Sequence, residues 1–136
     1  MKTLELIIEK EAGHFWGRVE GKGFMPTGQG TTIAELIGNV KDSIRDYQKH
    51  EGRKDKIWVQ IDVNRLAFDL RYDLAAFFEA FDFLNLTVIA KKANMNRSLL
   101  NQYVKGLKPA SAAQTRKIET VIHNLAKEMM DAELSA

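Results

Sequence analysis

Residues 86–106 read LTVIAKKANMNRSLLNQYVKG, and the way this stretch parses decides what kind of fold the chain carries. Ile89, Ala90 and Ala93 recur at helical spacing and mark the inner face of a first helix. Ala90 is small where two helices would cross closely. Asn94 falls where the chain must turn, and Asn is among the few residues with a side chain that tolerate a left-handed backbone. Met95 follows as an apolar plug. Asn96 has the short side-chain carbonyl that caps a helix. Leu99, Leu100 and Tyr103 give the second helix a buried side, and Gly106 ends it.

The polar remainder of the second helix carries the chemistry. An Asn or Gln amide pairs bidentately with adenine in the major groove, and Arg with guanine. A helix, a tight turn and a second helix with such an outer face has the pattern of a helix-turn-helix DNA reader. Asn96, Arg97, Ser98, Asn101 and Gln102 are the expected base contacts. Lys91, Lys92, Lys105, Lys108 and Arg116 flank that face and are the expected phosphate contacts.

Charge agrees with this reading. From Leu86 onward eight basic side chains stand against four acidic ones, a net of +4. The whole chain carries 20 Lys and Arg against 18 Asp and Glu, so residues 1–85 carry a net of −2. Between Asp82 and Glu119 there is no acid. A polyanion such as double-stranded operator DNA would be drawn to the C-terminal part.

Composition bounds the alternatives. A chain of 136 residues can bury one good core or two small ones. Its 45% hydrophobic and 28% charged content is that of a soluble globular protein. There is no cysteine, which excludes a disulfide framework, a thiolate zinc site and a Cys-His nucleophile. The opening MKTLELIIEKEAG lacks the apolar run of a signal peptide, and no segment is long enough to span a bilayer. A cytoplasmic location without a membrane partner is the default expectation.

The first half reads as a small α+β domain. Thr3 to Glu9 alternates as a strand around Leu4, Leu6 and Ile8. Glu11-Ala12-Gly13 reads as a hairpin turn into a second strand, His14 to Glu20, with Phe15, Gly17 and Val19 on one side and Trp16 and Arg18 on the other. GKGFMPTGQG, residues 21–30, reads as loops around a short third strand; it lacks the spacing of a phosphate-binding glycine loop. Thr32 and Glu35 make a capping box for a helix that buries Ile33, Leu36, Ile37, Val40, Ile44 and Tyr47. His50 to Asp55 is a polar connector, and the alternating IWVQIDV, residues 57–63, reads as a further strand.

This order, with the phrase Gly30-Thr31-Thr32-Ile33-Ala34-Glu35-Leu36 opening the helix, resembles HicB-type antitoxins. Asn39 and Ile44 fall where that family's helix usually has an Asn and an Ile. Tyr72-Asp73-Leu74, Phe77-Phe78 and Phe81-Asp82-Phe83-Leu84-Asn85 are similar to the linker and first helix of HicB-like proteins with a helix-turn-helix, as is Ser98 to Tyr103 with Gly106 behind it. The resemblance covers roughly residues 3–130. It implies an α+β chain in three parts. Residues 1–63 form a partner-binding domain, a truncated RNase H-like sheet with one packed helix. Residues 64–72 are a linker or extra strand. Residues 73–136 are an all-α helix-turn-helix domain of the Cro and lambda-repressor kind. It also implies the partners: a small HicA-like ribonuclease toxin and the operator of the protein's own operon. Where many such antitoxins carry a Pro-Gly-Cys-like loop near the toxin-facing surface, this chain has Phe24-Met25-Pro26-Thr27. A stand-alone regulator with a dimerising or sensing N-terminal domain is the alternative.

No catalytic, metal or cofactor set is expected. RNase H chemistry needs several carboxylates converging on two metals, and the strands offer Glu9, Glu20 and Asp62, each reading outward. His14, His50 and His123 are scattered, and Ser98 and Ser111 read as helix-surface and cap residues. Asp73 can cap a helix with the apolar stripe Leu74, Phe77, Phe78 and Phe81. Ser111 and Gln114 make a second capping box, ahead of a last helix that buries Ile118, Val121, Ile122, Leu125 and Met129, with Arg116 and Lys117 near its start. Operator readers of this size commonly pair across two half-sites. A homodimer is therefore expected, through the open sheet face or the late helix with Met129, Met130 and Leu134.

Overall fold

The structure, a computed structural model, describes residues 2–136. Among them are four strands and six α-helices, and the chain divides after Ala80 into two compact units. The class is α+β, as the sequence implies.

The first unit is built on a mixed sheet of order β3-β2-β1-β4. Strands β1 (Thr3–Glu11) and β2 (His14–Arg18) pair antiparallel across a two-residue turn at Ala12 and Gly13, both at positive φ (50° and 78°). Strand β3 (Thr27–Gly30) adds antiparallel to β2. Strand β4 (Ala67–Tyr72) runs parallel to β1, with Thr3 opposite Ala67 and Ile8 opposite Tyr72. Of the two readings open for residues 64–72, a strand is what forms.

Helix α1 (Ile33–Lys49) covers one face of this sheet. Leu6 and Ile8 from β1, Phe15 from β2, and Leu36, Val40 and Ile44 from the helix close a core with Val19, Trp58, Ile61, Val63 and Leu66. The helix can sit this low because β3 presents glycine to it. A Cβ on Gly30 would lie 2.7 Å from the Leu36 backbone nitrogen, and one on Gly28 would lie 2.9 Å from that of Val40. Asn39 then donates its amide to the Gln29 carbonyl at 2.7 Å, tying α1 to the edge strand. The Thr32 hydroxyl accepts from the Glu35 N–H at 3.1 Å, but the Glu35 carboxylate reaches back to Thr31, one residue before the cap.

The expected strand over residues 57–63 does not form. Asp55 caps a short helix, α2 (Lys56–Val59), accepting from the Ile57 and Trp58 N–H groups at 3.1 and 3.3 Å. Asp62 caps a single 3-10 turn over Val63–Arg65. Gln48 donates to the Trp58 and Ile61 carbonyls at 2.7 and 2.9 Å, taking acceptors that a strand ladder would need. Trp58, Ile61, Val63 and Leu66 turn inward, while Ile57 is 69% exposed. The alternation of IWVQIDV is real, but two aspartate caps override it.

Helix α3 (Leu74–Ala80) follows β4 directly. Asp73 caps it, accepting from the Ala76 N–H at 2.7 Å, and partial burial raises the Asp73 pKa above the ordinary carboxylate value. The helix packs on β1 and β4 and is braced by Lys10 to Glu79 at 3.2 Å. It belongs to the first unit, so the unit boundary falls after Ala80 and not between Tyr72 and Asp73. The expected stripe is divided there: Leu74, Phe77 and Phe78 lie on α3, and Phe81 opens the second unit.

The second unit, Phe81–Ala136, contains α4 (Leu86–Lys92), α5 (Arg97–Val104) and α6 (Ala112–Asp131). These three are its helices. Its buried side chains are Ile89, Ala90, Ala93, Leu100, Tyr103, Ile118 and Val121. Ile122 and Leu125 are half-buried, and Met129, expected inside, is 62% exposed. Ser111 caps α6 through the Gln114 N–H at 3.1 Å, but the Gln114 side-chain oxygen is buried with no partner among the described residues, so the second capping box is half made.

Gly30→Ala should lower the unfolding free energy by about 1–3 kcal/mol through forced overpacking. The readout is a lower urea midpoint at unchanged slope; an unmoved midpoint would show that α1 does not depend on this approach. A second outcome concerns the Tyr47 hydroxyl, which donates to Asp55 at 2.7 Å. That bond holds the Asp55 pKa below its ordinary value and raises that of Tyr47. A lowered carboxylate pKa stabilises above its unfolded value and stops doing so as pH falls through the folded one; a raised phenol pKa loses its contribution as pH climbs through the folded value. The advantage of the wild type over Tyr47→Phe should therefore be greatest at neutral pH and shrink on both the acid and the alkaline side, as measured by thermal unfolding against pH.

Candidate nucleic-acid interface

Helices α4 and α5 are joined through a left-handed residue. Asn94 has φ of 53°, as its position in the sequence implies. Its N–H donates to the Lys91 carbonyl at 3.1 Å, and the Met95 N–H donates to that of Ala90 at 2.9 Å. This paired set closes the end of α4 in a Schellman arrangement. Asn96 then starts α5, its side-chain oxygen accepting from the Ser98 N–H at 2.7 Å. At the far end Gly106 has φ of 72°, and the same paired bonds recur, Gly106 to Tyr103 at 3.1 Å and Leu107 to Gln102 at 2.9 Å. Both ends of α5 are thus fixed by local bonds.

The helix presents two distinct faces. Leu100 and Tyr103 are buried and Leu99 is half-buried. Arg97, Ser98, Gln102 and Lys105 are exposed and Asn101 is half-buried. At 3.6 residues per turn these five side chains fall within an arc of about 140° opposite Leu100 and Tyr103. Neither α4 nor α5 has an acidic residue in its first turn. An anion near their positive ends would meet no carboxylate there.

The expected base contacts are therefore brought together, with differing freedom. Asn96 has its carbonyl oxygen engaged as a cap, so its main action is to set the start of α5. Arg97 donates through Nε to the Thr87 hydroxyl at 3.2 Å, which steers the guanidinium and leaves its two terminal nitrogens unengaged among the described residues. Thr87 was not among the expected site residues. Its only signal was an exposed hydroxyl in the first turn of α4, ten positions from the arginine it holds.

The expected phosphate contacts separate into two groups. Lys105 and Lys108 lie at and beyond the end of α5, and Lys91 is exposed on α4. Lys92 and Arg116 instead line an open cleft between the end of α4 and α6, to which no residue of α5 contributes.

The remaining titratable candidates are dispersed. Arg18 pairs with Glu9 on the neighbouring strand and lies 3.6 Å from Glu20, and the Glu9 bond raises its pKa further above the ordinary guanidinium value. Asp62 is a cap. His14 lies 3.2 Å from the Ala12 carbonyl, His50 lies 3.6 Å from Asp46, and His123 is exposed on α6. Among the described residues no three His, Asp or Glu side chains are grouped to hold a metal ion, and no helix is long and apolar enough to cross a membrane.

Comparisons of the chain with protein-family models, with curated protein sequences and with solved structures find no match.

Asn94→Ala should cost about 1 kcal/mol, because alanine enters the left-handed region less readily than Asn does, whereas Asn94→Gly should be close to neutral. Thermal unfolding of the two variants checks this; equal losses would mean that the side-chain amide matters and the backbone angle does not.

Proposed function

We propose that this protein is a helix-turn-helix DNA-binding repressor, with α4 and α5 as the paired helices and α5 as the reader. One observation carries the reading: the outer face of α5 presents Arg97, Asn101, Gln102 and Lys105 opposite its buried side, in a unit whose nearest acids in sequence are Asp82 and Glu119. Guanidinium and amide groups match base edges in the major groove. Lys91, Lys105 and Lys108 supply the phosphate contacts that fix register. The protein acts as a homodimer on two half-sites, and it is not an enzyme.

The first unit gives this repressor its partner. In this reading it is the truncated RNase H-like domain of a HicB-type antitoxin. It neutralises a small HicA-like ribonuclease toxin, and the dimer represses the shared operon. Asn39 supports the likeness, since it ties the helix to the edge strand at the place where the resemblance puts an Asn. One observation favours the alternative of a stand-alone regulator. The segment that stands in the family's toxin-facing loop is folded onto this chain's own core: Phe24 stacks on Tyr47 with ring centres 3.7 Å apart, and Pro26 is fully buried.

Footprinting the protein on the DNA upstream of its own gene tests the reading. On the protected site Arg97→Ala and Gln102→Ala should each cost about 1–3 kcal/mol and relax sequence preference. Lys105→Ala should weaken binding to every duplex and flatten the dependence on salt. Unchanged affinity in all three would remove α5 as the reader.

A further inference from the structure

We propose that the cleft between the end of α4 and α6 is a second anion site, which seats the phosphate group of a phosphorylated small molecule. The inference stands apart from the reading of α5, since no side chain of that helix lines the cleft. Lys92 comes from the last turn of α4, and Arg116 and Lys117 from α6 opposite it. None of the three makes an ion pair among the described residues, and no carboxylate lines the cleft. Three like charges held around one opening repel each other, and a dianion relieves that repulsion.

The negative end of α4 would oppose an anion here. It is weak, because the Ala90 and Lys91 carbonyls are already taken by the Met95 and Asn94 N–H groups. A residual half charge at most is set against three full ones. The side-chain amides of Asn94 and Asn124 also line the cleft and make no hydrogen bond among the described residues, so both can donate to phosphoryl oxygens. Thr120 cannot add a donor, because its hydroxyl proton goes to the Arg116 carbonyl at 2.9 Å. Ala93, Ala113 and Val121 supply its apolar lining. The cleft is open to solvent, and its volume of about 620 Å³ is larger than a bare phosphate needs. Cations beside an aliphatic lining fit a phosphate monoester with a ring attached, such as a nucleotide. A duplex phosphodiester offers the same phosphoryl oxygens to these cations but carries a single charge, and it leaves the apolar lining uncovered.

The test is an amide chemical-shift titration of the full chain at constant ionic strength, with inorganic phosphate and with AMP as probes. Saturable, concerted shifts at Ala93, Asn94, Ala113, Thr120 and Asn124 are expected, tighter for AMP, with Ser98 and Gln102 unmoved. The double variant Lys92→Gln and Lys117→Gln, both at exposed positions, should weaken AMP by roughly tenfold or more. Lys117→Arg should retain it, and Arg97→Ala should leave it intact. A duplex arm separates the two sources of phosphate: AMP and DNA bound together assign the cleft to a free ligand, whereas mutual displacement with the same residues shifting assigns it to the DNA backbone. Shifts that stay linear in concentration, that survive the double variant, or that vanish in Arg97→Ala would overturn the site.

Discussion

Everything proposed for the second unit depends on one backbone angle. Asn94 at φ of 53° reverses the chain so that the Ala90 and Lys91 carbonyls are satisfied by the two N–H groups that follow the turn. Three residues after Asn94, α5 begins, already capped by Asn96. There is little slack in so short a connection. The direction in which Arg97, Asn101 and Gln102 project is set by the turn, and the interior contacts of Ile89, Ala90, Leu100 and Tyr103 hold it. Recognition of base edges needs side chains presented from a rigid element. Here rigidity comes from local hydrogen bonds at both ends of an eight-residue helix that would not persist alone.

The first unit uses a different device for the same purpose. Its sheet is short at β3, and a four-residue edge strand gives few ladder bonds. Glycine at positions 28 and 30 compensates by letting α1 approach at backbone distance, which buries Leu36 and Val40 completely. Asn39 then occupies the edge carbonyl of Gln29, which discourages a further strand from adding there. The sheet face away from α1 is left to paired charges, Arg18 with Glu9 and Glu20, and Arg71 with Glu5 at 2.7 Å. Such cross-strand pairs keep an open face solvated, and Trp16 is the large apolar side chain exposed among them.

How much of this was legible follows from where each signal resides. The turn at Asn94, the caps at Thr32, Asp73, Asn96 and Ser111, and the end at Gly106 are local matters of one or two residues, and the sequence states them. The inward residues of α1 and α5 follow from helical period. Residues 57–63 misled because hydrophobic alternation does not register side chains that cap from outside the window: Asp55 and Asp62 impose helical turns on a strand-like pattern. Residues 67–72 were ambiguous because a parallel edge strand takes its pairing from β1, more than sixty positions away. The brace from Thr87 to Arg97 and the gathering of Lys92 with Arg116 and Lys117 are likewise tertiary facts. Sequence supplies the charges; only the fold says which of them share an opening.

The basic side chains of the second unit fall into two groups. A net positive unit attracts DNA wherever its charges lie, and steering alone would be satisfied by a uniform coat. The charges here are not uniform. Arg97 and Lys105 lie with the amides of α5, while Lys92, Arg116 and Lys117 line a separate open cleft. The first group is arranged along a convex helix, which suits a groove. The second lines an open cleft, where the proposed occupant is a small phosphorylated molecule. Two shapes of one charge within a three-helix unit are more than long-range attraction requires, and α4, whose end carries Lys92 and whose turn sets α5, is the element common to both.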